Sequence, residues 1–113
     1  MPFMDDLNRI LGPILTQGIP DDKKLGGKFD RIVQFDISGD KDFYMEIKGG
    51  RTLSLVEGKH AKPDAIVSSD KDTMSSLASG ESAPMVALVQ GKVKLKGNMS
   101  ELLKLKDLIF PSP

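Results

Sequence analysis

Residues 28–57, KFDRIVQFDISGDKDFYMEIKGGRTLSLVE, decide the fold. Phe29, Val33, Phe35 and Ile37 alternate with Asp30, Gln34, Asp36 and Ser38. That period of two puts the apolar set on one face of a strand. Gly39-Asp40-Lys41 turns the chain, and Phe43, Met45 and Ile47 then alternate with Tyr44, Glu46 and Lys48. Gly49-Gly50 predicts a two-residue hairpin loop, because glycine takes the positive φ that tight hairpins require. Leu53 and Leu55 carry the next strand. The stretch therefore predicts a three-stranded antiparallel meander with one apolar and one wet face.

Upstream, Phe3, Leu7, Ile10, Leu11, Ile14 and Leu15 recur at helical spacing, with Asp6, Asn8 and Arg9 on the other side. Gly12-Pro13 kinks this helix or ends it near Leu11, since an interior proline removes a hydrogen bond and clashes with the preceding turn. Downstream, residues 58–64 form a polar loop and Ala65 to Ser69 a short strand. Asp70 is an N-cap for a helix to about Ser79, ended by Gly80. Ser82 is the expected cap of a second short helix, over 82–90, with Pro84 in its first turn and Met85, Leu88 and Val89 as its apolar stripe. Lys92 to Lys96 reads as a strand with Val93 and Leu95 inward. Asn98 with Glu101 resembles a capping box. Met99, Leu102, Leu103 and Lys106 follow at helical spacing to about residue 108, with Leu105 off their face, so this helix is either buried on two sides or partly exposed as a lid, a dimer contact or a membrane-touching surface. The expected architecture is α+β: a five-stranded, mostly antiparallel sheet with four to five helices on one face, as one domain over residues 1–113.

Composition removes several functions. The chain has 113 residues, no Cys, one His, and 16 basic against 16 acidic side chains. Zero Cys excludes disulfide scaffolds and thiolate chemistry, and a single His leaves no multi-His metal site. Zero net charge argues against nucleic acid as the partner. No apolar run approaches the roughly 18 residues of a membrane span. MPFMDDLNR lacks the basic region of a signal peptide, so the expected location is the cytoplasm. The end, Pro111-Ser112-Pro113, is unlike the peroxisomal Ser-Lys-Leu tripeptide.

Residues 70–105 resemble the sterol carrier protein type-2 lipid-binding domain. The resemblance rests on Asp70-Lys71-Asp72-Thr73, Leu77, Gly80 and Pro84, and above all on Val89-Gln90-Gly91-Lys92-Val93-Lys94-Leu95-Lys96-Gly97-Asn98-Met99. Residues 43–64 fit more loosely. The family implies a sheet covered by helices around an apolar tunnel. Such a domain binds and transfers fatty acid, fatty acyl-CoA or sterol without catalysis and without a cofactor. Straight-chain acyl ligands are the safer expectation over sterol.

On that reading Met74, Met85 and Met99, with Leu77, Leu88, Val89, Leu102 and Leu103, line the helix side of the cavity, and Val93 and Leu95 the sheet side. Methionine suits such a wall because it is unbranched and polarizable. Gln90 is the candidate head-group ligand, with helix capping as its alternative. For each apolar residue the plain alternative is ordinary core. Lys92, Lys94 and Lys96 are either the solvated face of an edge strand or a weak basic patch. Such a patch would meet a fatty-acid carboxylate, a CoA phosphate or, transiently, an anionic membrane. His60 reads as a solvated loop residue, and Gly26-Gly27-Lys28 lacks the spacing of a phosphate loop. The competing function is a protein-interaction or accessory domain of the same fold with a filled core. A monomer or weak homodimer is expected.

Overall fold

Alternation makes strands where it predicts them: β1 spans Arg31–Ser38, β2 Phe43–Lys48 and β3 Thr52–Glu57. These come from a computed structural model that describes residues 2–20 and 30–110. Phe29, Asp21-Asp22, Gly26-Gly27-Lys28 and the tail from Pro111 lie outside the described residues. Val33, Phe35, Ile37, Phe43, Met45, Ile47 and Leu53 are all buried, which is the apolar face of the meander. β4, Ala65–Asp70, lies on the far side of β1 and pairs with it in parallel, Phe35 beside Val67. β5, Lys94–Lys96, adds an antiparallel edge, Val67 beside Leu95. The sheet order is β3-β2-β1-β4-β5, with β1–β4 the one parallel pair among the described strands.

The hairpin loop is longer than its glycines predict. Lys48 pairs with Thr52, so three residues, Gly49 to Arg51, connect the strands. Gly49 and Gly50 sit at φ 62° and 63°, and the turn closes when Arg51 N–H donates to Lys48 O at 3.1 Å. The Arg51 carbonyl is drawn out of the ladder because it accepts from Ile19 N–H at 2.6 Å.

Among the described residues, five helices cover the inner face. α1 spans Phe3–Ile10 and α2 Gly12–Gln17, broken at Leu11 with Pro13 in the first turn of α2, where its missing N–H costs nothing. Phe3, Leu7 and Leu11 are buried. The Phe3 ring meets those of Phe35 and Phe43, which stack 4.8 Å apart. Pro2 offers α1 no side-chain cap; Asp40, in the β1–β2 turn, supplies one by accepting from Phe3 N–H at 2.8 Å. α3, Lys71–Ser79, is capped as expected, Asp70 accepting from Thr73 N–H at 2.8 Å and Gly80 closing the end at φ 83°. α4 spans Pro84–Val89 and α5 Met99–Ile109.

Four local readings are corrected. Ser82 does not cap α4: Ala83 holds the N-cap position, and Ser82 N–H instead donates to Ser76 O at 3.2 Å. The strand expected from Lys92 starts at Lys94, because Lys92 and Val93 N–H turn back to Ala87 O. Met99, expected on the inner face of the last helix, is 46% exposed, while Leu105, off the face it set, is buried with Leu102, Leu108 and Ile109. Gln34, placed by alternation on the wet face, is 3% exposed. The loop from Gly58 folds over it: Gln34 Nε2 donates to Phe43 O (3.0 Å) and Gly58 O (3.2 Å), and its Oε1 accepts from His60 N–H (2.9 Å). His60 is held by the same fold of the loop, its ring edge-on to Tyr44 at 5.1 Å.

Gly97 is required by contact as well as by its φ of 121°: a Cβ there would lie 2.8 Å from Ala65 Cβ and 3.0 Å from Asp64 O. Only a bare backbone lets the β5–α5 turn lie against the start of β4.

Candidate functional site

The inner face of the sheet and helices α3, α4 and α5 enclose an apolar cavity of about 80 Å³. Its floor is Val33 and Phe35 of β1, Met45 of β2, Val67 of β4 and Leu95 of β5, with Val93 just before β5. Met74 and Leu77 reach it from α3 because they stand three residues apart on one helical face. Pro84, Met85 and Leu88 close the α4 side. Leu102, Leu103, Leu105, Lys106 and Ile109 of α5, with Phe110, complete the wall. Lys106 is the one charged lining residue among those described, and it sits half-buried.

Of the eleven residues singled out from the sequence, Met74, Leu77, Met85, Leu88, Val93, Leu95, Leu102 and Leu103 come together at this cavity. Val89, Gln90 and Met99 do not line it. Val89 is 83% exposed, on the solvent side of α4, where Ala87 is the buried residue. Gln90 borders a different, open groove between α3 and α4, shared with Asp72, Ser76 and Glu81. The floor residues Val33, Phe35 and Met45 were legible as inward-facing, and Val67 lay in an expected strand with no face assigned, but alternation carries no signal for which inward residues lie under the helices. Lys106 was read at helical spacing with Leu102 and Leu103 but was not singled out as a lining residue.

α5 is clamped over the sheet by polar contacts at its start. Asn98 Oδ1 accepts from Glu101 N–H at 3.1 Å, half of a capping box. The Glu101 carboxylate does not reach back to Asn98; it takes Arg31 in a two-point pair, Nε to Oε1 at 3.0 Å and Nη2 to Oε2 at 2.7 Å. That hydrogen bonding raises the Arg31 pKa further above its already high value. At the start of α3, the Thr73 backbone and hydroxyl hydrogen bonds hold the Asp70 carboxyl below its usual value. These ion pairs and caps orient helices and stand outside the cavity. The cavity itself offers shape and apolar surface, with one cation beside it.

The profile of the SCP-2 sterol transfer family matches residues 14–110. The chain belongs to this family. It is 31% identical over 98 residues to sterol carrier protein 2 of Arabidopsis thaliana, covering 80% of this chain and 78% of that protein. It is 29% identical over 80 residues to hydroxysteroid dehydrogenase-like protein 2 of Xenopus tropicalis, which is 69% of this chain but only 19% of that longer protein. The fold matches the palmitated sterol carrier protein 2-like 2 of Aedes aegypti with a TM-score of 0.74, at 20% identity and covering 96% of this chain and 95% of that one. Among the described residues no helix is long and apolar enough to cross a membrane.

Proposed function

We propose that this SCP-2 family protein is a single-domain carrier that binds an apolar acyl ligand, a fatty acid or fatty acyl-CoA in preference to a sterol, in the cavity under α3, α4 and α5. The reading includes no bond-making step and sets the carrier in the cytoplasm. The observation that carries it is the lining: apolar on every element, with Lys106 alone charged at the edge. Each methylene taken from water into such walls is worth about 0.8 kcal/mol. A carboxylate left unpaired inside would cost several kcal/mol, so the chain goes in and the head group stays at the edge, where it competes with Asp107 for Lys106. The palmitated Aedes aegypti relative supports an acyl chain as the occupant.

The volume of about 80 Å³ is too small for a long acyl chain at full length. Uptake then requires the walls to part, which the adaptable Met74 and Met85 favour. A flexible chain can enter in stages as they do; a rigid sterol needs the full width at once. The small volume also favours the second reading, an accessory domain with a side-chain-filled core.

Native mass spectrometry of freshly purified protein, beside a denatured control, separates the two. Extra mass of a few hundred daltons that leaves on denaturation, or displacement of a bound fluorescent fatty-acid probe by palmitate, supports the carrier. A bare mass together with no probe binding rejects it in favour of the filled core.

A further inference from the structure

All the sulfur in this chain is thioether: six methionines and no cysteine. The fold sets the described methionines in different surroundings. Met45 and Met74 are buried and line the cavity from β2 and α3. Met4 packs against the core from α1, and Met99 is exposed at the start of α5, away from the cavity. Met85 alone among them combines two properties: it borders the cavity and it is 43% exposed. The shape of α4 explains this. The helix is six residues long, and Ala83 before it is extended. Met85 stands in the first turn, so no earlier turn of helix lies beneath its side chain to shield it.

Exposure decides how a thioether meets an oxidant. Its sulfur carries no proton, so it needs no base and reacts wherever peroxide can reach it. The sulfur lone pair takes one oxygen of hydrogen peroxide, the O–O bond breaks and water leaves; sulfur loses two electrons and the peroxide gains them. The product is a sulfoxide, polar and able to accept hydrogen bonds. The cavity has almost nothing to offer that oxygen. Its lining is apolar except for Lys106, which already holds Asp107 at 2.8 Å. Turned inward, the new oxygen is buried beside the ligand without a partner, at a cost. Turned to water, it draws the Met85 side chain off the wall and removes an apolar contact from the ligand.

We infer that Met85 is an oxidation site through which peroxide lowers the affinity of the cavity for its acyl ligand. The inference rests on the carrier reading above. The reduced chain holds its ligand and the Met85 sulfoxide releases it. Exposure serves the return step as well, because a methionine sulfoxide reductase can reach the same sulfur. In that step two thiols of a reductant become a disulfide and the oxygen leaves as water. The contact also works in reverse, since an acyl chain lying against Met85 shields it from peroxide.

The test is a time course of the full chain in hydrogen peroxide. Peptide mass spectrometry follows the gain of one oxygen at each methionine, and a fluorescent fatty-acid probe reports binding on the same samples. Met85 and Met99 should oxidise before Met45 and Met74, and a loss of affinity of about tenfold should track Met85. Reductase with a thiol should restore it, and palmitate should slow the oxidation of Met85 without slowing that of Met99. Met85→Gln, which puts a polar side chain at the wall with no oxidant present, is expected to weaken binding about tenfold. Met85→Leu, a volume-conserving change, is expected to lose no affinity on peroxide treatment, whatever its starting value. Met99→Leu should lose affinity on treatment as the unsubstituted chain does. Binding that survives full sulfoxidation of Met85 overturns the inference. So does Met85→Leu that loses as much affinity as the unsubstituted chain, and so does palmitate that leaves the Met85 rate unchanged. A circular-dichroism signal that falls in step with affinity would assign the effect to unfolding and overturns it too. An untreated chain that binds no probe is a distinct result: it rejects the carrier reading, and the inference falls with it.

Discussion

Met74→Ala tests the cavity from inside. Met74 is 2% exposed and lines the cavity wall from α3. Truncation removes about three methylene-sized groups at roughly 0.8 kcal/mol each, about 2.4 kcal/mol of lost burial. A void term adds to this, since large-to-small changes leave space that the surroundings only partly fill. That space would join a cavity already open at about 80 Å³, so little collapse is available. The expected loss is about 3 to 4 kcal/mol. For a chain of 113 residues, at roughly 4 °C per kcal/mol, the Tm falls by about 12 to 16 °C. Palmitate at a hundred times its Kd should restore about 2.7 kcal/mol by mass action to any form that binds it. The variant should gain more at the same palmitate concentration, because the chain refills the void. The assay is thermal unfolding by circular dichroism, with and without palmitate, on both proteins. A palmitate-induced rise in Tm of equal size in both would refute the reasoning, because it would put the ligand outside the cavity that Met74 lines.

The fold makes further predictions. Gln34→Leu leaves His60 N–H and two carbonyls short of a partner, which should cost about 1 to 3 kcal/mol in urea denaturation; an unchanged midpoint would mean that water replaces the side chain. Gly97→Ala forces a Cβ to within 2.8 Å of Ala65 Cβ at a positive φ; a loss of about 2 kcal/mol or more is expected, and wild-type stability would show that the β5–α5 turn does not sit against β4. Asp40→Ala removes the cap that reaches Phe3 N–H from 37 residues away, a loss of about 1 kcal/mol. It should appear first as faster amide exchange in α1. Asp70→Ala should cost about 1 kcal/mol at pH 7. Because the Asp70 pKa is lowered in the folded state, its contribution is present above the unfolded value near 3.8 and is lost as the pH falls through the folded value. The gap between variant and wild type should therefore narrow only in strong acid, below about pH 3.8; a gap that closes near neutrality would assign it to another group.

Much of this molecule was determined locally. A strand shows itself through neighbours two residues apart and a helix cap through a side chain three residues from its partner. That is why the β1–β2–β3 meander, the caps at Asp70 and Asn98 and the break beside Pro13 were all legible. The run from Val89 to Met99 carried the family, and helical spacing put six of the eleven expected residues, and strand alternation two more, at one cavity. What sequence reasoning missed depends on what a residue meets after long stretches of chain have crossed. Gln34 is buried because the loop from Gly58 happens to return over it, and a polar side chain on an alternating strand cannot announce that lid. Asp40 looked like a turn residue because its partner, Phe3, is set by the docking of α1. In α5, leucines at 102, 103, 105 and 108 offer overlapping apolar faces of similar strength. The sheet below selected Leu102, Leu105 and Leu108 and turned Leu103 toward the cavity and Met99 toward solvent. Periodicity states which residues can share a face; only the packing of distant elements, where apolar area is removed from water, decides which face is used.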